Sequence, residues 1–244
     1  MTPDPAAPTA VERAFHAIRD KIIDGTLLPG AKLPGITDLC AMIGVSHSSV
    51  REAVSMLTAL GVLESVRGSG TYVSDLHPEQ VMAGLEFTLD LLDLEHFIEL
   101  IELRRIVEAH VTSRAAARAD TALDALLLSL TTAMEATSDP ATFNRLDNQF
   151  HTAIYAAGGN ASLAALLVVI KSKSRAYEIF DRPDAAKMRA LTDASHTLIR
   201  RAIAARDPAT AHAAAAGHVL QSEQWLRDRA SLLAPHKPAI HDPG

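Results

Sequence analysis

The sequence predicts a mainly α-helical protein made of an N-terminal winged helix-turn-helix and a larger C-terminal bundle of antiparallel helices. Its 244 residues suit two domains of ordinary size. Alanine and leucine, which favour helix, are abundant in the C-terminal two-thirds. A pattern of two helices around a tight turn occurs in the N-terminal part, and a β-hairpin pattern with a glycine-rich tip follows it directly. These observations together predict the fold class.

Composition and apolar runs exclude several classes of protein. Cys40 is the single cysteine, which excludes an internal disulfide and a thiolate metal cluster and is typical of a reducing cytoplasm. Prolines replace the apolar stretch of a secretory signal, and the longest apolar run, residues 163–170, is too short to span a bilayer. We therefore expect a soluble cytoplasmic protein with no membrane partner. The net charge of −6 argues against a nonspecific nucleic-acid coat but not against a local surface that reads DNA.

The first domain is predicted at residues 9–75, after a disordered lead at residues 1–8. Apolar residues at helical spacing indicate its helices, which end at Gly25, Gly44 and Gly61. Runs rich in β-forming residues lie on both sides of the glycine-rich hairpin tip. The predicted elements are helices at 11–24, 38–43 and 47–60 and strands at 62–65 and 71–73.

A linker is predicted at residues 76–80 and an all-helical domain at residues 81–233. Nearly the whole of this domain has helical periodicity, interrupted at capping residues, prolines and glycines. The interruptions fall near residues 93, 120, 138–140, 158–160, 182–183 and 207–208. They divide the domain into six or seven helices, which we expect to form an antiparallel bundle. Residues 234–244 are expected to form a disordered tail.

The second and third predicted helices have the pattern of a helix-turn-helix. Apolar side chains can lock these helices together across Gly44: Leu39, Ile43, Val45, Val50, Val54 and Leu57. Polar side chains are then expected to be exposed at the start of the third helix: Ser46, His47, Ser48, Ser49 and Arg51. Hydroxyls, an arginine and a helix N-terminus suit phosphate contacts and base readout in the major groove. From the helix pair alone, a capped surface helix without a partner is an equal alternative.

Five short motifs occur in order between residues 11 and 74: Leu28-Pro29-Gly30, Leu33-Pro34, Gly44-Val45-Ser46, Val50-Arg51-Glu52-Ala53 and Gly68-Ser69-Gly70-Thr71-Tyr72-Val73. Together they resemble the GntR family of bacterial regulators. The resemblance implies binding to double-stranded operator DNA through the polar start of the third helix, through Thr37, and through a wing tip at Gly68, Ser69 and Gly70. The sequence departs from the family at His47 and Thr37, since arginine is common at both positions.

The C-terminal domain places candidate metal ligands on three predicted helices. Asp147 and His151 are four residues apart, on one helical face and within or beside an apolar stripe. A buried aspartate needs a partner, because an unpaired buried charge is costly. His196 lies on the apolar stripe of another helix, and His218 lies on the last helix. These four side chains would hold Zn²⁺, Ni²⁺ or a similar ion with positions left for water or ligand. The alternative is that the histidines are hydrogen-bonded core residues.

Further motifs lie between residues 80 and 230: Glu102-Leu103-Arg104-Arg105 with Glu108, Asp147-Asn148-Gln149-Phe150-His151, Asn160, His196 and His218. They resemble the FCD domain of the FadR subfamily, an all-helical ligand-binding bundle. The resemblance implies a divalent metal on the four ligands, with Arg104 pointing into the cavity beside it. A guanidinium and an open metal position would suit a small carboxylate effector. Arg175 is a weaker candidate for this role, and a surface salt bridge with Glu108 is the alternative for Arg104.

These patterns predict a homodimeric transcription regulator and not an enzyme. A carboxylate metabolite bound at the metal would change how two DNA-binding heads are placed and would release the operator, as in a repressor. Activation is an alternative, because no motif encodes the sign. The metal would alternatively be structural or would itself be the signal. A metal-dependent hydrolase that activates water is a further alternative, but the sequence offers no additional well-placed general base.

Overall fold

The structure is a computed structural model that describes residues 7–89, 91–174 and 185–233. Contacts divide the chain into two compact units, Met1–Leu85 and Glu86–Gly244. The predicted class, mainly α-helical with a small wing sheet, is confirmed. The described residues form α1 (Ala10–Ile23), α2 (Ile36–Ile43), α3 (His47–Ala59), β1 (Leu63–Val66), β2 (Gly70–Val73), α4 (Pro78–Leu89), α5 (Leu94–Arg118), α6 (Thr121–Ala136), α7 (Pro140–Ala157), α8 (Ala161–Ser174), α9 (Ala185–Ala204) and α10 (Pro208–Leu233).

Some predicted features lie outside the described residues. They are most of the N-terminal lead, the tail at 234–244, the break at 182–183 and Arg175.

The predicted linker can be compared with the structure. Helix α4 begins at Pro78, so the irregular stretch after β2 is residues 74–77 and does not continue to residue 80. Proline is favoured at the first position of a helix because its missing N–H is not needed there.

The first unit is built from α1, α2, α3 and the hairpin. Helix α1 begins with a capping box, in which Thr9 and Glu12 each accept the other's backbone N–H, at 3.2 and 2.7 Å. Helix α2 ends at Gly44, whose φ of 75° turns the chain toward α3. The buried core consists of Ala14, Ile18, Leu27, Leu33, Leu39, Val50, Ala53, Leu57, Leu63 and Val73. All six apolar residues predicted to lock α2 to α3 belong to this core or pack against it.

The wing is an antiparallel hairpin of β1 and β2, with Val66 opposite Gly70 at its tip. The segment before α2 pairs with its edge, since the Leu33 N–H donates to the Thr71 carbonyl at 2.8 Å. Gly70 has a φ of 136°, and a Cβ at this position would lie 2.7 Å from the Lys32 Cε atom. The Lys32 side chain can move aside, so it is the positive φ that favours glycine at this position.

Helices α5 to α10 lie wholly in the second unit, and α4 crosses the boundary between the units. Five of these helices begin after an aspartate or asparagine whose side chain accepts a backbone N–H of the first turn: Asp93, Asp120, Asp139, Asn160 and Asp207. The largest buried cluster joins α5, α6, α7, α9 and α10 through residues such as Leu127, Phe143, Phe150, Ile203 and Ala215. No helix in the described part of the chain is long and apolar enough to cross a membrane.

Candidate metal centre and nucleic-acid interface

The start of α3 presents polar side chains on the surface of the first unit. The Ser46 hydroxyl caps the helix by accepting the Ser49 N–H at 3.2 Å. Ser46, His47, Ser48 and Arg51 are exposed. These side chains and the N–H groups of the first turn are therefore accessible to a phosphate or a base edge.

The prediction that Ser49 is exposed is wrong. Ser49 is 9% exposed, and its hydroxyl lies 2.9 Å from the Ser46 hydroxyl. Ser49, Ala53 and Leu57 recur every fourth residue on the face of α3 that packs into the core. The rotation that buries Ala53 and Leu57 therefore turns Ser49 inward, where it supports the helix cap.

The wing tip and the start of α2 supply the other predicted DNA-contacting positions. Gly68, Ser69 and Gly70 are exposed at the tip, and Thr37 is exposed as the second residue of α2. The Ser69 hydroxyl lies 2.6 Å from the Tyr72 hydroxyl, which ties the tip to β2. Apart from Ser49, the predicted positions all lie at the surface, and their contacts with DNA stay predictions.

Three histidines from different helices meet in the interior of the second unit. His151 is on α7, His196 is on α9 and His218 is on α10, and they are 1%, 1% and 6% exposed. One ring nitrogen of each lies within 4.8 Å of the others. The Nε2 atoms of His151 and His196 are 3.3 Å apart. Such a set of nitrogens can hold a divalent metal ion.

Asp147 adds a carboxylate to this set from the preceding turn of α7. Its Oδ1 atom lies 3.5 Å from His151 Nε2 and 3.2 Å from His196 Nε2. Two ligand atoms bonded at about 2.1 Å to one ion lie roughly 3.0 to 3.4 Å apart. The observed separations therefore fit a shared ion, and the donors present fit the metal that the FCD resemblance implies.

Two neighbouring side chains hold the imidazole rings. The Nδ1 atom of His151 lies 2.8 Å from Glu108 Oε1, and the Nδ1 atom of His218 lies 2.8 Å from the Ser195 hydroxyl. Both contacts leave Nε2 for a ligand role, and such contacts orient the ligands of many metal sites. The Nδ1 atom of His196 is buried and has no hydrogen-bond partner among the described residues.

The electrostatics set the protonation states that metal ligation requires. Burial lowers the pKa of His196, although Asp147 opposes this shift. Burial, together with His196 and His151, holds the pKa of His218 well below its ordinary value. Burial alone would raise the pKa of Asp147, but Lys171 and His151 hold it well below its ordinary value. At neutral pH, His196 and His218 are therefore neutral and Asp147 is ionised.

Arg104 and Glu108 form a buried ion pair next to the histidines. Their side chains are 4% and 2% exposed, and Arg104 Nε donates to Glu108 Oε2 at 2.8 Å. The alternative of a surface salt bridge is therefore wrong, because α5 turns this face inward. Burial alone would raise the pKa of Glu108, but Arg104 and His151 hold it well below its ordinary value. One oxygen of Glu108 thus faces the guanidinium and the other faces His151.

Replacement of Glu108 by glutamine is expected to lower the affinity for a divalent metal about 10- to 100-fold. The amide keeps the size of the side chain but removes the charge that balances Arg104 and orients His151. Competition with a chromophoric chelator measures this affinity. Glu102→Gln, at an exposed position of the same helix, is the matched control. An unchanged metal affinity of the Glu108→Gln protein would show that Glu108 does not support metal binding.

The structure adds Glu108, Ser195 and Lys171 to the predicted site residues. Lys171, on the last turn of α8, pairs with Asp147 Oδ2. The sequence holds no local signal for this pair, since Asp147 and Lys171 lie on different helices. The remaining described histidines are exposed and do not join the cluster: His16, His47, His77, His96, His110 and His212.

Comparison with known proteins identifies both domains. Residues 10–73 match the family described as bacterial regulatory proteins, gntR family, and residues 99–221 match the FCD domain. The chain belongs to the GntR family. It is therefore a DNA-binding transcription regulator, and its relatives are named as regulators and not as enzymes.

Three known proteins show how far the similarity extends. The transcriptional regulator LutR of Bacillus subtilis is 30% identical over 84% of this GntR-family chain and 95% of that protein. A putative L-lactate dehydrogenase operon regulatory protein of Escherichia coli is 34% identical over 60% of this chain and 57% of that protein. The solved structure of Streptococcus agalactiae GntR has 26% identity and a TM-score of 0.58, and covers 88% of this chain and 99% of that one. The family similarity therefore includes both the DNA-reading unit and the helical unit.

Proposed function

We propose that this regulator is a cytoplasmic homodimeric repressor that releases operator DNA when a small carboxylate binds at a divalent-metal site in its FCD domain. The observation that carries the proposal is the buried cluster of His151, His196, His218 and Asp147, which adjoins Arg104 through Glu108. A ligand bound there would favour one arrangement of the two DNA-reading heads. The spacing of the heads decides whether both half-sites are bound.

The proposed ion is Zn²⁺ or Ni²⁺, because the donors are three imidazoles and one carboxylate. Asp147, His151, His196 and His218 would hold it, and Glu108 would orient one of the rings. When bound, the ion would offer a Lewis-acidic position to a carboxylate oxygen, which for Zn²⁺ means expansion from four to five ligands.

The charges of the cluster support an anionic effector. The cations Arg104 and Lys171 balance the carboxylates Glu108 and Asp147. A divalent ion therefore adds two uncompensated positive charges, in a place where these four side chains are at most 13% exposed. Poorly solvated surroundings strengthen the attraction of an anion. Arg104 is the proposed anchor, and Arg175 stays a weaker candidate outside the described residues.

L-lactate is the first effector to test. The Escherichia coli relative is named for an L-lactate dehydrogenase operon. L-lactate combines a carboxylate with a neighbouring hydroxyl, so it can offer an anionic oxygen and a second polar oxygen to the same site. Other hydroxy acids and dicarboxylates have the same chemistry and form the rest of the test panel.

DNA binding of the metal-loaded protein tests the proposal. DNA that the protein enriches from fragmented genomic DNA is labelled, and fluorescence anisotropy gives the Kd at a fixed salt concentration. We expect L-lactate to raise this Kd at least about tenfold, which is a coupling free energy of ordinary size. L-lactamide, which lacks the charge, should leave the Kd unchanged. Sedimentation should show a dimer.

Each other outcome corrects a different part of the proposal. A Kd that no member of the panel changes overturns the carboxylate effector. A Kd that responds to the metal alone makes the metal the signal. A Kd that falls on addition of L-lactate overturns effector-induced release of the operator.

A further inference from the structure

Lys171 is the more exposed of the two cations in the buried cluster. Its ammonium pairs with Asp147 Oδ2, and these two side chains are 12% and 13% exposed. Arg104 and Glu108 are 4% and 2% exposed. An anion that enters the cluster from solvent is therefore expected to meet Lys171 before it meets Arg104.

The two cations also differ in how firmly they are held. Arg104 donates from Nε to Glu108, whose other oxygen lies 2.8 Å from His151. Lys171 carries three N–H donors on a flexible stem, and its described partner is one oxygen of Asp147. Lys171 therefore keeps N–H donors with which it can hold a second anion.

We propose that Lys171 binds the carboxylate of the effector together with Arg104, the anchor already proposed, and couples effector binding to metal binding. The inference rests on the proposed function and deepens it. Asp147 serves both partners, because Oδ2 faces Lys171 while Oδ1 lies 3.2 Å from His196 Nε2 and 3.5 Å from His151 Nε2. An ion held at Oδ1 shares the negative charge that balances Lys171. The ammonium is then under-compensated in poorly solvated surroundings, and a carboxylate restores the balance.

This coupling has a thermodynamic signature. If the metal raises the affinity for a carboxylate, the carboxylate must raise the affinity for the metal by the same factor. Loss of the ammonium should remove the coupling while the four metal ligands remain. A purely structural ion pair between Lys171 and Asp147 predicts a different result, since its loss would disturb the metal ligands themselves.

Calorimetric titration of L-lactate into the Ni²⁺-loaded full-length protein tests the inference. Lys171→Met keeps an unbranched side chain without its charge, and Lys173→Met removes the same charge from the same helix. We expect Lys171→Met to weaken L-lactate binding at least about tenfold, the effect of one lost charge-assisted hydrogen bond. Lys173→Met should bind L-lactate like the wild type. Elemental analysis should find the wild-type metal content in both variants.

The outcomes separate the inference from the function on which it rests. A metal-loaded Lys171→Met protein that binds L-lactate as tightly as the wild type overturns the role of Lys171 alone. Loss of the metal together with L-lactate binding also overturns it, because Lys171 is then a structural partner of Asp147. If Lys171→Met does not fold, Lys171→Gln, which keeps a donor for Asp147, gives the same comparison. A wild-type protein that binds the metal but no carboxylate of the panel overturns the proposed effector itself.

Discussion

Replacement of His196 by alanine is expected to abolish stoichiometric metal binding and the stability that the metal provides. The lost Nε2 atom lies 3.3 Å from His151 Nε2 and 3.2 Å from Asp147 Oδ1, so the middle of the ligand set is removed. A ligand that binds only the native state stabilises it by about 2.7 kcal/mol at 100 times its Kd. Added Ni²⁺ should therefore raise the Tm of the wild type and leave that of the variant unchanged.

The change in Tm on addition of Ni²⁺ is measured separately for each protein, because the alanine also leaves a cavity in the core and lowers the Tm without metal. His212→Ala is the matched control, since His212 is exposed on α10 and lies outside the cluster. It should keep the wild-type metal content in elemental analysis and the wild-type shift in Tm. A His196→Ala protein with full metal content and an unchanged shift would contradict the proposed ligand set.

Replacement of Arg51 by alanine is expected to weaken operator binding strongly while the fold is kept. Arg51 is exposed on α3, so its loss leaves no cavity. One bidentate contact of an arginine with a base is worth about 1–3 kcal/mol, roughly 5- to 150-fold in Kd. Few cations can compensate, because residues 1–76 contain five other lysines and arginines: Arg13, Arg19, Lys21, Lys32 and Arg67.

Arg19→Ala is the matched control for this experiment. Arg19 lies on α1 with a side chain that is 46% exposed, and it pairs with Asp20. Its replacement removes the same charge from the same unit and should leave operator affinity close to that of the wild type. Anisotropy at fixed salt measures both variants, and circular dichroism checks their folds. Full operator affinity of the Arg51→Ala protein would exclude α3 as the reading helix.

Much of the fold could be predicted because its signals are local. The predicted breaks at Asp93, Asp120 and Asp139 coincide with N-caps, since the side chain that ends one segment accepts the first N–H groups of the next. Gly44 and Ser46 define the turn and cap of the helix-turn-helix in the same way. Such residues need no partner far along the chain, so the sequence alone locates them.

The burial of individual polar residues was harder to predict. Ser49 looks like a surface residue because it follows an N-cap, but the packing of Ala53 and Leu57 decides the rotation of α3. Arg104 and Glu108 have the spacing of a surface pair, yet their helix is enclosed by others and they are buried. In both cases the tertiary contacts of a helix, and not its own pattern, determine which face meets solvent.

The metal centre combines both kinds of information. The i,i+4 spacing of Asp147 and His151 is local, and it predicts that the two share one face of α7. The positions of His196 and His218 on their helices make them candidates, and the family resemblance then favours them over the rest of the eleven histidines apart from His151. Lys171 was not predicted at all, because its pairing with Asp147 depends on how α7 and α8 pack.

The buried cluster of charged and histidine side chains draws on α5, α7, α8, α9 and α10. The ribosome therefore makes Arg104 of α5 long before His218 of α10. The ion pairs Arg104–Glu108 and Lys171–Asp147 are encoded before α10, so this helix adds the neutral ring of His218 and not a balancing charge. The helical unit cannot complete its core before α10 emerges, because Ala211 and Ala215 of α10 belong to the same buried cluster as Ala115 and Ala116 of α5. On the proposed ligand set, a chain terminated before residue 218 would lack a ligand, so metal loading would mark the products that were translated beyond that residue.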